Sequence, residues 1–600
     1  MAGAFGLIAL LCLTGALAAA ESHCLAYPAG QRSAQTARLQ LERAFAARAR
    51  KPASQRAAIP SANFIDDYVF GKMAADGVEP APLADDATFL RRASLDLTGR
   101  IPSPEQVKAL GDPGALIESL MASPAFVDYW TLFYGNIFKV VSNYYRYVGI
   151  PGRNLFHAYL RDFVARDRSY RDVVTELITA IGDSHRAGPP NFIMRGIQQG
   201  DPIQDTWDTL TNEITTEFLG IQTQCVSCHD GRRHLEQINL YLADRRRDEF
   251  MRLSAFLARM QITELNVDAF NQQRKGIIAD LPAGVYHGVV NPQNPGARPP
   301  RVGTFEPVYM FTGEQPRSGA WRREFARLIV NDRQFARATV NYLWAHFFQV
   351  GIVDPPTSWD LARIDPKNPP PAPWTLQPSH PELIEALADE FIRGGYRLRP
   401  ILRLLAQSAA YQLSSRYAGE WKPVYASYFA KHFPRRLGPE EAYDALARAT
   451  MTETPMYVEG FNEPLLNAVQ LPDPSEPRAN TSVFNLLTSL GRGDWWRTPR
   501  STEGSVVQSL YLMNDNNVNQ RTFGNQRGNS TAGSTRVARL VASSISDEDA
   551  VRQLFLATLG RRPTDTEMGV AIRSRRANRE DWLTDVQWSL INKTEFLFNH

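Results

Sequence analysis

Cysteine is scarce in this chain, 4 in 600 residues, so the dense disulfide framework that holds together small exported domains is excluded. An excess of one charge is missing too: 66 Lys and Arg stand against 63 Asp and Glu, a formal net charge of +3, which gives no field to hold nucleic acid or an anionic lipid surface. Past residue 20 no stretch approaches the ~20 uninterrupted apolar residues that a membrane-spanning helix needs. Also absent are G-x-S-x-G, H-E-x-x-H and a Walker-type glycine loop, the commonest signatures of hydrolase and nucleotide chemistry, and no fixed-period repeat runs along the chain. What is present is the composition of a folded protein, 44% hydrophobic and 10% aromatic. Its length exceeds what one hydrophobic core commonly serves, so at least two domains are expected.

Residues 1–20, MAGAFGLIALLCLTGALAAA, are apolar and end in small residues, with Ala18 and Ala20 at the −3 and −1 positions of a cleavage site before Glu21. This predicts a signal peptide and a mature chain that is periplasmic or secreted. Because the segment has no Lys or Arg before its apolar run, an uncleaved N-terminal anchor is the alternative. Leu11 before Cys12 does not suit a lipoprotein signal. Cleavage would leave Cys24, Cys225 and Cys228, an odd number, with Cys24 as a spare thiol.

Residues 21–58, rich in Ala, Arg and Gln, predict an N-terminal helix or tether. From residue 85 the text reads as a helix stopped by Gly99, then a second helix opened by Ser103, Pro104 and Gln106 as cap, N1 and N3. Residues 201–224 place Trp207, Leu210, Ile214, Phe218 and Ile221 three or four apart, which predicts an amphipathic helix running into CVSCH, and residues 249–261 repeat the pattern. Residues 262–319 turn to Pro, Gly, Val and Tyr and predict loops and short strands, after which helical periodicity resumes at Trp321. The expected fold is therefore mainly α, with a helical domain over 59–265, a Pro/Gly-rich linker or small β segment over 266–319, and a second helical domain over 320–600.

Cys225-Val226-Ser227-Cys228-His229 matches C-x-x-C-H, in which two thiols bind the haem vinyl groups as thioethers and the adjacent imidazole becomes the proximal iron ligand. Two cysteines one helical turn apart reach one porphyrin edge, and the next residue can place its ring under the iron. Three other uses of the thiols compete with covalent haem c: a thioredoxin-like redox pair, which needs a preceding strand; a zinc site made with His229 and His234; and a plain Cys225–Cys228 disulfide. For the sixth iron ligand the sequence offers Met194, Met251 and, preferred among them, Met260, each of which also suits core packing. Asp230, His234 and Glu236 can orient His229 or meet a propionate, or belong to a solvated face. The acidic run Asp201, Asp205, Asp208, Glu213 and Glu217 falls mostly away from the apolar stripe and reads as solvated.

Several segments together resemble the paired domains of unknown function numbered 1549 and 1553, also called planctomycete-cytochrome-type domains. FLRRASLDLTGRIPSPEQV, LMASPAFVDYW, FLGIQTQCVSCHD and LSAFLARM are similar to the first, and RREFARLIVNDRQFARATVNYLWAHFFQVGIVDP, PSHPELIEALADEFIRGGYRLRPILRLLAQSAAYQLSS, RSTEGSVVQSLYLMN and INKTEFLFNH to the second. The resemblance spans most of residues 60 to 600 and implies no reaction. Where the family commonly has C-H-D-H-P, this chain has Gly231 after Asp230, and it lacks the second C-x-x-C-H that many relatives carry, so one covalent haem is the most it can hold. Asn341, Trp344, His346 and Phe347 match a further family segment, with Tyr342 where Arg is usual and Gln349 near the usual Gly. His380 matches P-S-H-P, and Ser379 also reads as a helix cap with Pro381 and Glu382 in the first turn. Arg492, Asp494, Arg500, Ser501 and Glu503 form a polar cluster that can line a cleft.

Two readings of function follow. The first is an exported protein with a single c-type haem, used in electron transfer or a haem-linked oxidative role, with a redox partner protein or a polymeric extracellular substrate. The second is an extracytoplasmic hydrolase or polysaccharide-processing or polysaccharide-binding protein in which C-x-x-C-H is structural. Whether the chain is an enzyme is open at this point.

Overall fold

The computed structural model describes residues 59–109, 111–142, 148–198, 202–268, 273–289, 301–493, 500, 506–522 and 535–600. The expected signal peptide 1–20, the expected tether 21–58, Cys12 and Cys24 lie outside them. The fold is mainly α, and its few short strands form one three-stranded and two two-stranded antiparallel sheets among the described residues.

The caps written in the sequence set the helix starts. Asn63 accepts the Ile65 N–H and forms a capping box with Asp66 ahead of α1 (Phe64–Ala75). α2 (Asp86–Thr98) begins on Asp85 and ends at Gly99, whose φ of 65 is the left-handed stop that glycine supplies, and Ser103 and Gln106 close the expected capping box just beyond. Ser123 caps α3 (Pro124–Ile137). α4 (Ile150–Ala165) and α5 (Tyr170–Ile178) follow, then a short strand β1 (Gly182–Asp183) and α6 (Ile203–Leu219).

Two expectations on either side of the cysteine motif need correction. α6 does not run into CVSCH: it stops at Gly220, φ 70, and a separate single turn, α7 (Gln224–Cys228), carries the cysteines. A Cβ at Gly220 would lie 2.4 Å from Cδ1 of the buried Trp359, so only glycine lets the chain pass. The expected helix over 249–261 is α8 (Arg247–Ser254) plus a 3₁₀ turn (Ala255–Leu257), after which Met260 opens strand β2 (Met260–Asp268). β3 (Gln273–Asp280) pairs with β2 from Met260↔Asp280 and with β1 on its other edge, and a second ladder joins β4 (Tyr286–His287) to β5 (Thr304–Phe305). The ladder supplies backbone partners that the apolar spacing of 249–261 could not reveal.

The hydrophobic interior divides differently from the sequence. One core runs from Ile65 through the first segment and on through Trp321 to Phe433, with Val469 added from farther along, so α9 (Trp321–Asn331) and α10 (Arg333–Phe348) pack into the first core. Phe335 stacks on Tyr170 at 5.4 Å, Gln334 donates to the Leu219 carbonyl, and the Tyr342 hydroxyl donates to the Thr216 carbonyl. The second core starts at Leu437 and is built on α12 (Pro439–Thr450), α13 (Asp547–Leu559) and α14 (Arg579–Ile591), with Leu95 and Ile101 reaching in from α2 and its following loop. Segment 266–319, which carries short strands, thus lies between helices that share one hydrophobic core: helical periodicity shows that a face is apolar, not which neighbour covers it.

α2 lies where the two cores meet. Asp96 accepts from Arg435, Tyr411 and Asn599, while Arg91 donates to the Phe596 carbonyl. There β6 (Arg435–Arg436) pairs with β7 (Phe598–Asn599).

Candidate functional site

α7 is held by its own sequence. Val226 is fully buried and anchors the turn in the first core, and the Ser227 hydroxyl donates to the Gln224 carbonyl at 2.6 Å. Cys225 and Cys228, one turn apart, are each half-buried and are not joined as a disulfide. His229 leaves the helix in an extended conformation, φ −150 and ψ 165, half-exposed at the end of the turn. Its Nδ1 lies 2.8 Å from the Asp230 carbonyl oxygen. A ring nitrogen that donates to a carbonyl keeps its proton, so Nε2 presents a lone pair, the tautomer that a metal-ligating histidine needs.

The loop after the motif is locked. Gly231 donates its N–H to the Arg245 carbonyl, and a Cβ there would fall 1.8 Å from the Leu242 carbonyl oxygen, which explains why this chain has glycine after Cys-His-Asp. His234, exposed, packs its ring 4.3 Å from that of His229. Glu236, also exposed, takes the Arg233 N–H, and that bond lowers its carboxyl pKa. Asp230 accepts the backbone N–H of Arg247 at 2.8 Å, and Arg247 Nε donates back to the Ser227 carbonyl at 3.0 Å. α8 is thereby tied to both sides of Cys228 and His229.

Behind α8 lies a feature opposite to the sequence expectation. Asp205, Asp208, Glu213 and Glu217 of α6 are not solvated but buried, each at most 7% exposed, while Asp201 lies outside the described residues. Arg301 binds Asp205 and meets Asp208 from Nε and Nη2 at 3.0 and 2.8 Å; Ser254 and Tyr286 also donate to Asp208. Although burial opposes it, the Asp208 charge, followed by Tyr286 and Asp205, holds the Arg301 guanidinium more strongly protonated than usual. Farther along α6, Arg195 forms two bonds to Glu217, and Lys139 reaches Glu213. Burial raises the Glu217 carboxyl above its ordinary range against the pull of Arg195. The helix is wrapped on its charged face as well as its apolar one, and no spacing rule signals cationic partners about 20 to 100 residues away.

The remaining sequence candidates are placed as follows. Met194, Met251 and Met260 are all core side chains, the last at the head of β2 and 2% exposed. Among the described residues no three His, Cys, Asp or Glu side chains gather as a metal-ion ligand set. The element before the motif is a helix, not the strand of a thioredoxin-like pair. Asn341 exchanges two bonds with Val353, Trp344 stacks on Phe348 at 3.9 Å, and His346 Nε2 meets the Asp96 carbonyl; with buried Phe347, all four serve packing. Gln349 takes φ 63 at the end of α10, the conformation that suits the glycine usual there.

His380, not Ser379, is the cap residue of α11 (Pro381–Arg393), and no side-chain capping bond forms. Its ring is buried against Phe429, Nδ1 lies 3.2 Å from Ser379 Oγ, and burial pushes its pKa down to about 4. With Tyr68, Lys72 and Glu382 it lines a cavity of about 430 Å³. Arg500 donates twice to Glu440, and Arg492, 1% exposed, donates to the Glu476 carbonyl, so both are committed to buried partners. Asp494, Ser501 and Glu503 lie outside the described residues. Sequence reading missed Arg247 and Arg301.

Residues 64–261 match a family model described as protein of unknown function (DUF1549), and residues 321–574 match one described as protein of unknown function (DUF1553). No curated protein and no solved structure matches the chain.

Proposed function

Since this chain belongs to the paired families of unknown function DUF1549 and DUF1553, with CVSCH inside the first, we propose that it is an exported protein carrying one covalent c-type haem used for electron transfer or linked oxidation. The observation that carries the reading is the state of His229, whose Nδ1 is held by the Asp230 carbonyl directly after two half-exposed thiols one turn apart. Cys225 and Cys228 would hold the group through thioethers and His229 would hold its iron; when bound, the haem supplies a one-electron couple. Val226 anchors the turn, while the half-exposure of His229 leaves this edge within reach of a redox partner protein. Export follows from residues 1–20, and cleavage before Glu21 is expected on N-terminal sequencing of protein taken from outside the cytoplasm.

The deciding experiment is expression with a haem-attachment system, followed by a haem stain on a denaturing gel and an absorption spectrum. Haem that survives denaturation in the natural chain and is lost in Cys225→Ala/Cys228→Ala supports the reading. His229→Ala should shift the spectrum even where attachment persists, because it removes a ligand and not a covalent link. Natural protein with no stain and a stoichiometric Cys225–Cys228 disulfide or bound zinc would overturn it.

A further inference from the structure

We propose that Arg247 is a positioning residue for the second thioether, holding Cys228 and His229 in the geometry that lets Cys228 join the haem; this rests on the haem reading above. Each thioether forms by adding a cysteine S–H across a vinyl C=C: a carbon–sulfur bond forms, the proton goes to the neighbouring carbon, and no electron is gained or lost. Cys225 sits inside the turn of α7, followed by buried Val226, so its position is fixed by the core. Cys228 is the last residue of that turn and His229 has already left it. What constrains these two residues is a bracket from α8. Arg247 Nε holds the carbonyl just before Cys228, at Ser227, and the Arg247 N–H holds the Asp230 carboxylate just after His229. Asp230 in turn presents its carbonyl to His229 Nδ1, so the Arg247 side chain secures the helix end, while the backbone N–H at the same position, which any residue but proline supplies, secures the loop and, through Asp230, the ring. Arg247 cannot drift, because it opens α8, whose packing against α7 and the first core fixes the start of that helix.

The test is mass spectrometry of the haem peptide from full-length protein matured with an attachment system. In Arg247→Met we expect the Cys225 linkage to persist and the doubly linked fraction to fall about ten-fold, as loss of one charged hydrogen bond implies. The unsaturated vinyl should shift the α band to the red, and the melting temperature should stay near that of the natural chain. Arg247→Lys, which keeps a cationic donor, should restore most of the second linkage, and Asp230→Ala should lower it. Double linkage at the natural level in Arg247→Met would overturn the proposal, whatever the level in Asp230→Ala. Equal loss of both linkages with a lowered melting temperature would overturn it too, making Arg247 a residue of the fold. Natural protein without covalent haem is a separate result, which removes the haem reading and this proposal together.

Discussion

Replacing Asp208 with Ala tests whether the acidic face of α6 is interior or solvated. In the structure Asp208 is 2% exposed and accepts two bonds from Arg301, one from Ser254 and one from Tyr286. Alanine leaves Arg301, itself 3% exposed, with Asp205 as its remaining carboxylate among these groups and leaves two hydroxyls without their acceptor. Breaking a buried ion pair from one side costs about 3–5 kcal/mol, because the remaining charge stays out of water. A solvated helix face gives at most about 0.5 kcal/mol for the same change. Equilibrium urea unfolding followed by tryptophan fluorescence separates the two, since Trp207 lies on the same helix. With a urea slope of about 3 kcal/mol/M, the midpoint should fall by about 1 to 1.7 M. Asp208→Ala combined with Arg301→Met should recover much of the loss, because an apolar replacement of both partners strands no charge. A midpoint within about 0.2 M of the natural chain, the shift a solvated face implies, would refute the placement of this carboxylate in the interior.

Gly220→Ala should cost roughly 3 kcal/mol, from a left-handed backbone and from a Cβ driven against Trp359, read as a lowered unfolding midpoint; a neutral change would show that α6 can end without glycine. Arg435→Met should cost about 3–5 kcal/mol by leaving buried Asp96 and Glu441 without their shared cation, and should loosen the junction of the two cores, seen as faster hydrogen exchange in α12; unchanged exchange would speak against it. His380 titrates near 4 in the folded chain because burial disfavours its charge, and near ~6.5 unfolded, so the unfolded state binds the proton first and stability falls as pH drops from ~6.5 to about 4. His380→Gln should flatten the pH dependence of the melting temperature across that window, only in part because His157 and His432 are lowered by burial as well; parallel curves for the two proteins would rule out the buried, neutral ring.

Local rules were legible because they act within one turn. The cap at Ser103, the stop at Gly99 and the cysteine turn each depend on residues a few positions apart, and the structure keeps them where the sequence writes them. By itself the sequence determined that this is a mainly helical chain with CVSCH beside a helix, and its motifs matched the two families. Tertiary structure decided which faces meet. It put Arg301 against Asp205 and Asp208 and Arg195 against Glu217, turning a charged stripe that reads as solvated into interior. It also packed α9 and α10 into the first core across the Pro/Gly segment, because burial is a sum over neighbours from anywhere in the chain. Arg247 belongs to the same class: its sequence shows three consecutive arginines, and only the packing of α8 against α7 sets the third of them between Ser227 and Asp230. A side chain's helical spacing fixes its direction from its own axis, whereas its partner and its dielectric surroundings depend on segments about 20 to 100 positions away.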